Sequence, residues 1–401
     1  MTPDQPEQPP RKRRRRRRTI SGDYRPYRSP RARALARFKG MAIFLAALVI
    51  VGGGLFLFLA DVPEPDVVAA EAPATARPKP RERTAALPPL NLPADEAPHG
   101  SAMEWWYYSG ILDANAGQRF GFHMVVFVAN GLVKHTVMHA ALTDLQSGKR
   151  YVSQTRTAGS PMTSIPNGFD FRQDGWQATA SASAHALRAT FDQAAVTLTL
   201  NNGGPLVAHR APGSETPGLL DFGSSGISYY YSRPRLPTRG EIVIGGKPTP
   251  VRGEVWFDHQ WGEFDVLSLG WNWFALQLAD GSDLMLYELF DKNGRSVVTA
   301  GTISDAKGSQ PLEQGQAELV PGARWTSPKT NITYVVEWNI KLPTGVLHVK
   351  PYLPDSEFDS GGTTANVYWE GPVKVSGSRE GRGFLELSGY DRLGLKPTKS
   401  P

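Results

Sequence analysis

The densest group of side chains able to do chemistry is the stretch Gly253 to Glu263, reading GEVWFDHQWGE. Within it, Trp256 to Trp261 bring together a carboxylate, an imidazole and two indoles. If the stretch is a strand, the period of two sorts it into faces. Val255, Phe257, His259 and Trp261 share one face; Glu254, Trp256, Asp258 and Gln260 share the other. An imidazole turned inward among apolar groups loses basicity through desolvation and is available as a general base. His259 and Asp258 are therefore the candidate catalytic residues. Neighbours on a regular strand point opposite ways, so both reach one substrate only if the backbone is irregular. A bulge or strand end is expected between Asp258 and Gly262, with His259 toward a cavity and Asp258 orienting it or contacting a second domain. The competing reading is structural: a buried, hydrogen-bonded pair that locks two domains together.

Other chemistry is weaker. Eight histidines invite a metal. A strand places His135 and His139 about 13 Å apart on one face, too far for one ion, with His123 expected on the opposite face. No metal site and no cofactor are predicted. An aromatic hairpin, Gly270 to Phe290, turns at Asp280-Gly281. A two-residue turn there opposes Trp273 with Glu288 and Phe274 with Tyr287. A carboxylate beneath an indole could be an acid of raised pKa, a cation-binding floor or a salt-bridged rim residue. Nucleophile elbow, P-loop, dinucleotide fingerprint and HExxH are all missing from the sequence. With no cysteine, thiolate chemistry and disulfides are excluded.

These residues must be positioned by β-structure. From about residue 99, short aromatic and β-branched runs alternate with Gly and Asn/Asp-Gly turns, without βαβ alternation. Asn130-Gly131 marks a hairpin whose two-residue register pairs Val126 with His135 and Phe122 with His139. The pattern predicts an all-β fold of two consecutive antiparallel barrels, 99–262 and 263–395, because roughly 300 residues exceed one small barrel. Residues from Pro212 to Gly246, with Pro234 and Pro237, read as a long connection.

The chain's net charge of +6 is a tail property. Residues 1–40 hold 14 of the 44 basic and 3 of the 38 acidic side chains, including an unbroken run from Arg13 to Arg18. Met41 to Ala60 follows without a single charge, long enough to cross a bilayer of about 30 Å as a helix. Basic residues before it and Asp61, Glu64 and Asp66 after it predict a cytoplasmic N-terminus and barrels on the periplasmic or extracellular side. The arginines then set topology next to the cytoplasmic membrane, and nucleic acid is not an expected partner. A cleaved signal peptide is the rival, with Ala69-Ala70 as a cleavage point; the length of the run favours an uncleaved anchor. Residues 61–98, rich in Pro and Ala, are expected to form an extended stalk.

EWWYYSG at 104–110, GEVWFDHQWG at 253–262 and GWNWFALQLADGSDLMLYEL at 270–289 resemble the CrtC/AttH-like family. That family has two lipocalin-like barrels and includes bacterial carotenoid hydratases and secreted proteins labelled predicted hydrolases. The resemblance covers about residues 97–395. It implies acid-base addition of water to an isolated double bond, carried by His259 and Asp258, with aromatic faces steadying a tertiary cation. Candidate substrate-binding residues are Trp256, Trp261, Trp271, Trp273, Tyr287, Glu288, Trp105 and Trp106. The expected ligand is an apolar lipid or isoprenoid. The alternative is a non-catalytic lipid carrier or an accessory of membrane transporter proteins.

Overall fold

The computed structural model describes residues 87–391 apart from 131–132, 222–225, 265–268, 292 and 365. All of these fall in one compact unit. The expected basic tail, membrane helix and cleavage point lie outside the described residues, as does the stalk up to residue 86. Among the described residues no helix is long and apolar enough to cross a membrane.

The fold is all-β, two curled antiparallel half-barrels in sequence. The first is a 13-stranded sheet whose central strands are, in spatial order, Lys134–Asp144, Arg119–Asn130, Met103–Ala114, Lys247–Phe264, Gly226–Ile244 and Ala194–Asn201. It curls enough that Phe169, from near one end of the sheet, packs 5.1 Å from Trp106 in the middle. The second is a 10-stranded sheet centred on Asp283–Phe290, Gly270–Leu278, Gly381–Ser388 and Val367–Gly377.

Alternation along these strands builds three apolar layers. Trp106, Tyr108, Phe257 and Trp261 fill the first half-barrel. Phe274, Leu276, Trp369 and Leu385 fill the second. The outward faces are apolar too, and they meet: Tyr107, Tyr230 and Trp256 of the first sheet pack with Trp273, Tyr287 and Phe384 of the second. This doubly buried pattern is why the motif strands carry aromatics on both faces.

Four local expectations are corrected. Lys247–Phe264 is a regular strand: its register with Met103–Ala114 runs from Met103 opposite Gly262 to Ala114 opposite Val251 without a shift, so there is no bulge at Asp258 to Gly262. The irregularity is in the neighbouring strand Gly226–Ile244, between Arg233 and Leu236. Pro234, which has no N–H to give a ladder, sits there; the supposed connection is largely this 19-residue strand. In the first hairpin Val126 pairs with Met138 and Phe122 with Leu142. The odd shift turns Met138, Ala140 and Leu142 into the core, where core burial fixes register, and it puts His123 on the same face as His139. In the second hairpin Trp273 pairs with Tyr287 and Asn272 with Glu288. Leu278 N–H bonds Ser282 O at 2.9 Å around a three-residue turn, with Gly281 at φ 87°. That one-residue slip sends Glu288 to the opposite face from Trp273.

Residues 87–98, expected as stalk, are folded. Leu90 and Leu92 pack against the first core. Glu96, in the 3₁₀ turn Ala94–Glu96, is buried and accepts from Tyr231 Oη at 3.0 Å and from the Arg233 guanidinium.

Arg235 fastens the half-barrels. Its guanidinium donates to Glu254 at 2.8 Å, to the buried Asp283 at 2.9 Å and to Leu278 O at 2.8 Å. Arg235→Ala leaves Asp283 without its cation. The expected cost is about 1–3 kcal/mol, read as a lower denaturant midpoint, with Arg235→Lys recovering only part because an ammonium cannot span the same acceptors.

Candidate active site

The regular central strand divides the motif between two environments. His259 faces the interior of the first half-barrel. Its Nε2 lies 2.9 Å from Glu104 Oε1 and its Nδ1 3.2 Å from Tyr231 Oη. His99 Nδ1 approaches the same Glu104 oxygen at 2.8 Å, and the His99 backbone N–H donates to Glu104 Oε2 at 2.8 Å. Trp106 stacks on His259 at 4.7 Å, and Trp261 stacks on His99 at 4.0 Å. Burial depresses the His259 pKa, opposed by Glu104. Burial pushes Glu104 up, but the hydrogen bonds from His259 and His99 outweigh it and hold the carboxyl below its ordinary value. His99, Glu104 and His259 have donor atoms within 4.8 Å of one another, as metal ligands would; here those atoms satisfy each other. Both His259 and Glu104 are sealed from solvent.

Asp258 faces the other way, into a cavity of about 440 Å³ between the half-barrels. Trp105, Phe127, Trp271, Trp273, Tyr287 and Leu289 give it an apolar, aromatic lining. Ser232, directly across the ladder, donates to Asp258 Oδ1, and Trp256 Nε1 donates to the same oxygen at 2.7 Å. His209 continues the chain, with Nε2 2.6 Å from Ser232 Oγ and Nδ1 2.9 Å from Thr302 Oγ1. Trp273 Nε1 donates to Tyr230 Oη at 3.0 Å. Burial pushes the Asp258 carboxyl up to about 7, against the lowering pull of Ser232, Trp256 and Tyr230. Burial takes His209 down to about 3, so it is a neutral link. At neutral pH Asp258 is therefore divided between acid and carboxylate.

The sequence candidates thus separate. Asp258, Trp105, Trp271, Trp273 and Tyr287 line the cavity, with Trp256 behind the acid. His259, Trp106 and Trp261 belong to the first half-barrel's interior. Glu288 accepts from Asn272 Nδ2 at 2.9 Å and does not line the cavity. Sequence reasoning missed Ser232, His209, Glu370 and Glu386. A strand pairing would have found Ser232, since Tyr230 and Ser232 stand opposite Gln260 and Asp258; nothing local marks His209.

Two lipocalin-like antiparallel half-barrels with a buried acid between them define an all-β class of fold. The chain belongs to the AttH-like family, whose sequence pattern matches residues 83–390. It is similar to kievitone hydratase of Fusarium solani subsp. phaseoli, 27% identical over 185 residues, which is 42% of this chain and about half (51%) of that protein's length. Its fold is similar to the crystal structure of an AttH candidate from Nitrosomonas europaea, with TM-score 0.68 and 26% identity over 76% of this chain and 98% of that one. It also resembles the fold of kievitone hydratase from Nectria haematococca, with TM-score 0.61 and 18% identity over 77% of this chain and 96% of that one.

Proposed function

We propose that this protein is a hydratase-type acid-base catalyst whose substrate is an apolar molecule, isoprenoid in character, held between the half-barrels. The observation that carries the reading is Asp258: a carboxyl with its pKa raised by burial, aimed into an aromatic cavity. Protonating an isolated double bond requires a positioned acid that still holds its proton near neutral pH. The Asp258 carboxyl would deliver that proton to the less substituted alkene carbon. The cation left on the other carbon would be flanked by the indole faces of Trp271 and Trp273, and water would close the reaction as a tertiary alcohol.

The same geometry argues against a serine hydrolase. Ser232 stands between Asp258 and His209, donating to the carboxylate. A triad places the imidazole between carboxylate and hydroxyl; here the hydroxyl is the middle member, its proton is committed to Asp258, and Ser232 does not line the cavity. The relationship to kievitone hydratase supports hydration over hydrolysis.

The test uses a phenol bearing a prenyl chain, incubated with the protein in isotopically labelled water. The wild type is expected to give a tertiary alcohol carrying the label. If the phenol binds without conversion, the cavity serves a lipid carrier instead, of the kind that accompanies a membrane transporter. We also propose that residues 41–60 anchor the half-barrels on the outer side of the cytoplasmic membrane. Protease added to spheroplasts should then remove the half-barrels and spare an N-terminal epitope tag; protection of the half-barrels would reverse that orientation.

A further inference from the structure

Asp258 supplies a proton to carbon but leaves the adding water without a base. Across the cavity, Glu370 of Val367–Gly377 stands directly opposite Glu386 of Gly381–Ser388 in the ladder. Direct partners have Cβ atoms about 4.5–5.5 Å apart on one face of the sheet. Their strand neighbours Trp369, Leu385 and Leu387 turn into the second core, so alternation sends both carboxyl groups to the cavity, which they line. Glu386 accepts from Trp271 Nε1 at 3.1 Å. Glu370 is fully buried, and neither of its carboxyl oxygens has a hydrogen-bond partner. His123 Nδ1 is 3.1 Å from Oε1 but outside hydrogen-bonding geometry. Arg150 Nη1, the nearby cation, donates to the Glu370 backbone oxygen at 2.9 Å instead of its carboxyl. An acceptor buried this deeply calls for a donor, a role that a small polar molecule in the cavity would fill.

We propose that Glu370 and Glu386 form a proton-sharing carboxylate pair that holds the water added to the alkene and takes its proton. This rests on the hydratase reading of the same cavity. In the balanced step, the alkene π pair forms a C–H bond with the Asp258 proton, and a water oxygen forms the C–O bond to the cation. The water's proton passes to the ionised member of the pair, and from there returns to Asp258. Alkene and water become alcohol, with no redox partner.

The surroundings fit a pair that keeps one proton. Burial raises Glu370 well above its ordinary value, with the Glu386 charge adding to it. Burial brings Glu386 to about 7, opposed by Trp271 and reinforced by Asp258. The imidazoles packed on this face do not neutralise the pair: burial pushes His123 well down and His139 to about 3. Tyr368 is held protonated by burial and by the Glu386 charge.

Hydration of the prenylated phenol is measured for the wild type, Glu370→Gln and Glu386→Gln across pH, alongside carbon NMR titration of glutamate-labelled protein. Each variant should lose about a hundredfold in turnover, with the acid limb of the pH profile lost or moved. In Glu386→Gln the Glu370 carboxyl should titrate at lower pH, since its neighbouring charge is gone. An active wild type with both variants within about twofold of it overturns the pair alone. Glutamate signals that all titrate at ordinary values in the wild type overturn it without any variant. A wild type that binds the phenol and leaves it unreacted brings down the hydratase reading first, and the water base with it.

Discussion

Asp258→Asn is expected to lower hydration turnover by about a hundredfold to ten-thousandfold, the range for a general acid, while leaving the protein folded. The amide keeps an oxygen for Ser232 and Trp256 and has no proton to give. The pH dependence has a definite sign. The folded carboxyl, raised to about 7 from its ordinary 3.8, binds a proton that the unfolded chain has already lost. Its stabilising contribution is therefore complete below about pH 4 and is lost as pH rises through about 7. Glu386, also raised to about 7, and Asp283, raised to about 7 by burial against Arg235, act in the same direction. Wild-type activity should fall above neutral pH as the Asp258 carboxyl loses its proton. The unfolding midpoint of Asp258→Asn should gain on the wild type over the same interval. A midpoint difference independent of pH would mean that Asp258 is ionised throughout.

The second large effect is structural. Glu104→Ala is expected to cost about 1–3 kcal/mol for each buried donor it leaves without an acceptor. The side chains of His259 and His99 and the His99 backbone N–H would lose their acceptor together. The entry segment that closes the first half-barrel should loosen, seen as faster amide exchange around Ala94–Glu96. Turnover per folded molecule should change little, because Glu104 and His259 point away from the cavity. A collapse of turnover with an unchanged unfolding midpoint would return catalysis to His259.

Much of the fold was legible because its signals are local. Period-two alternation in the central strand correctly paired Phe257 with His259 and Trp261 on one face and Trp256 with Asp258 on the other. Met103–Ala114 carries aromatics on both faces and both are covered, the outer one by the second half-barrel. Hairpin registers were less legible. Asn130-Gly131 and Asp280-Gly281 mark where the chain turns, but a turn of two or three residues is settled by which side chains the core accepts. Those shifts decided that His123 and His139 share a face and that Glu288 leaves the aromatic wall.

By itself, then, the sequence determined the all-β class, the strand faces around Asp258 and His259, the absence of thiol chemistry, and the charge asymmetry flanking residues 41–60. Only the tertiary structure decided which face carries the candidate chemistry. Two half-barrels pack back to back, so the outward face of the central strand is as buried as the inward one. Inside the first half-barrel, Glu104 and His99 satisfy His259; between the half-barrels, Asp258 meets Ser232, His209 and, across the cavity, Glu370 and Glu386. These partners come from several strands and connecting segments of the chain. Their meeting depends on register and sheet curvature, which the packing of the whole core sets and no short stretch of sequence encodes.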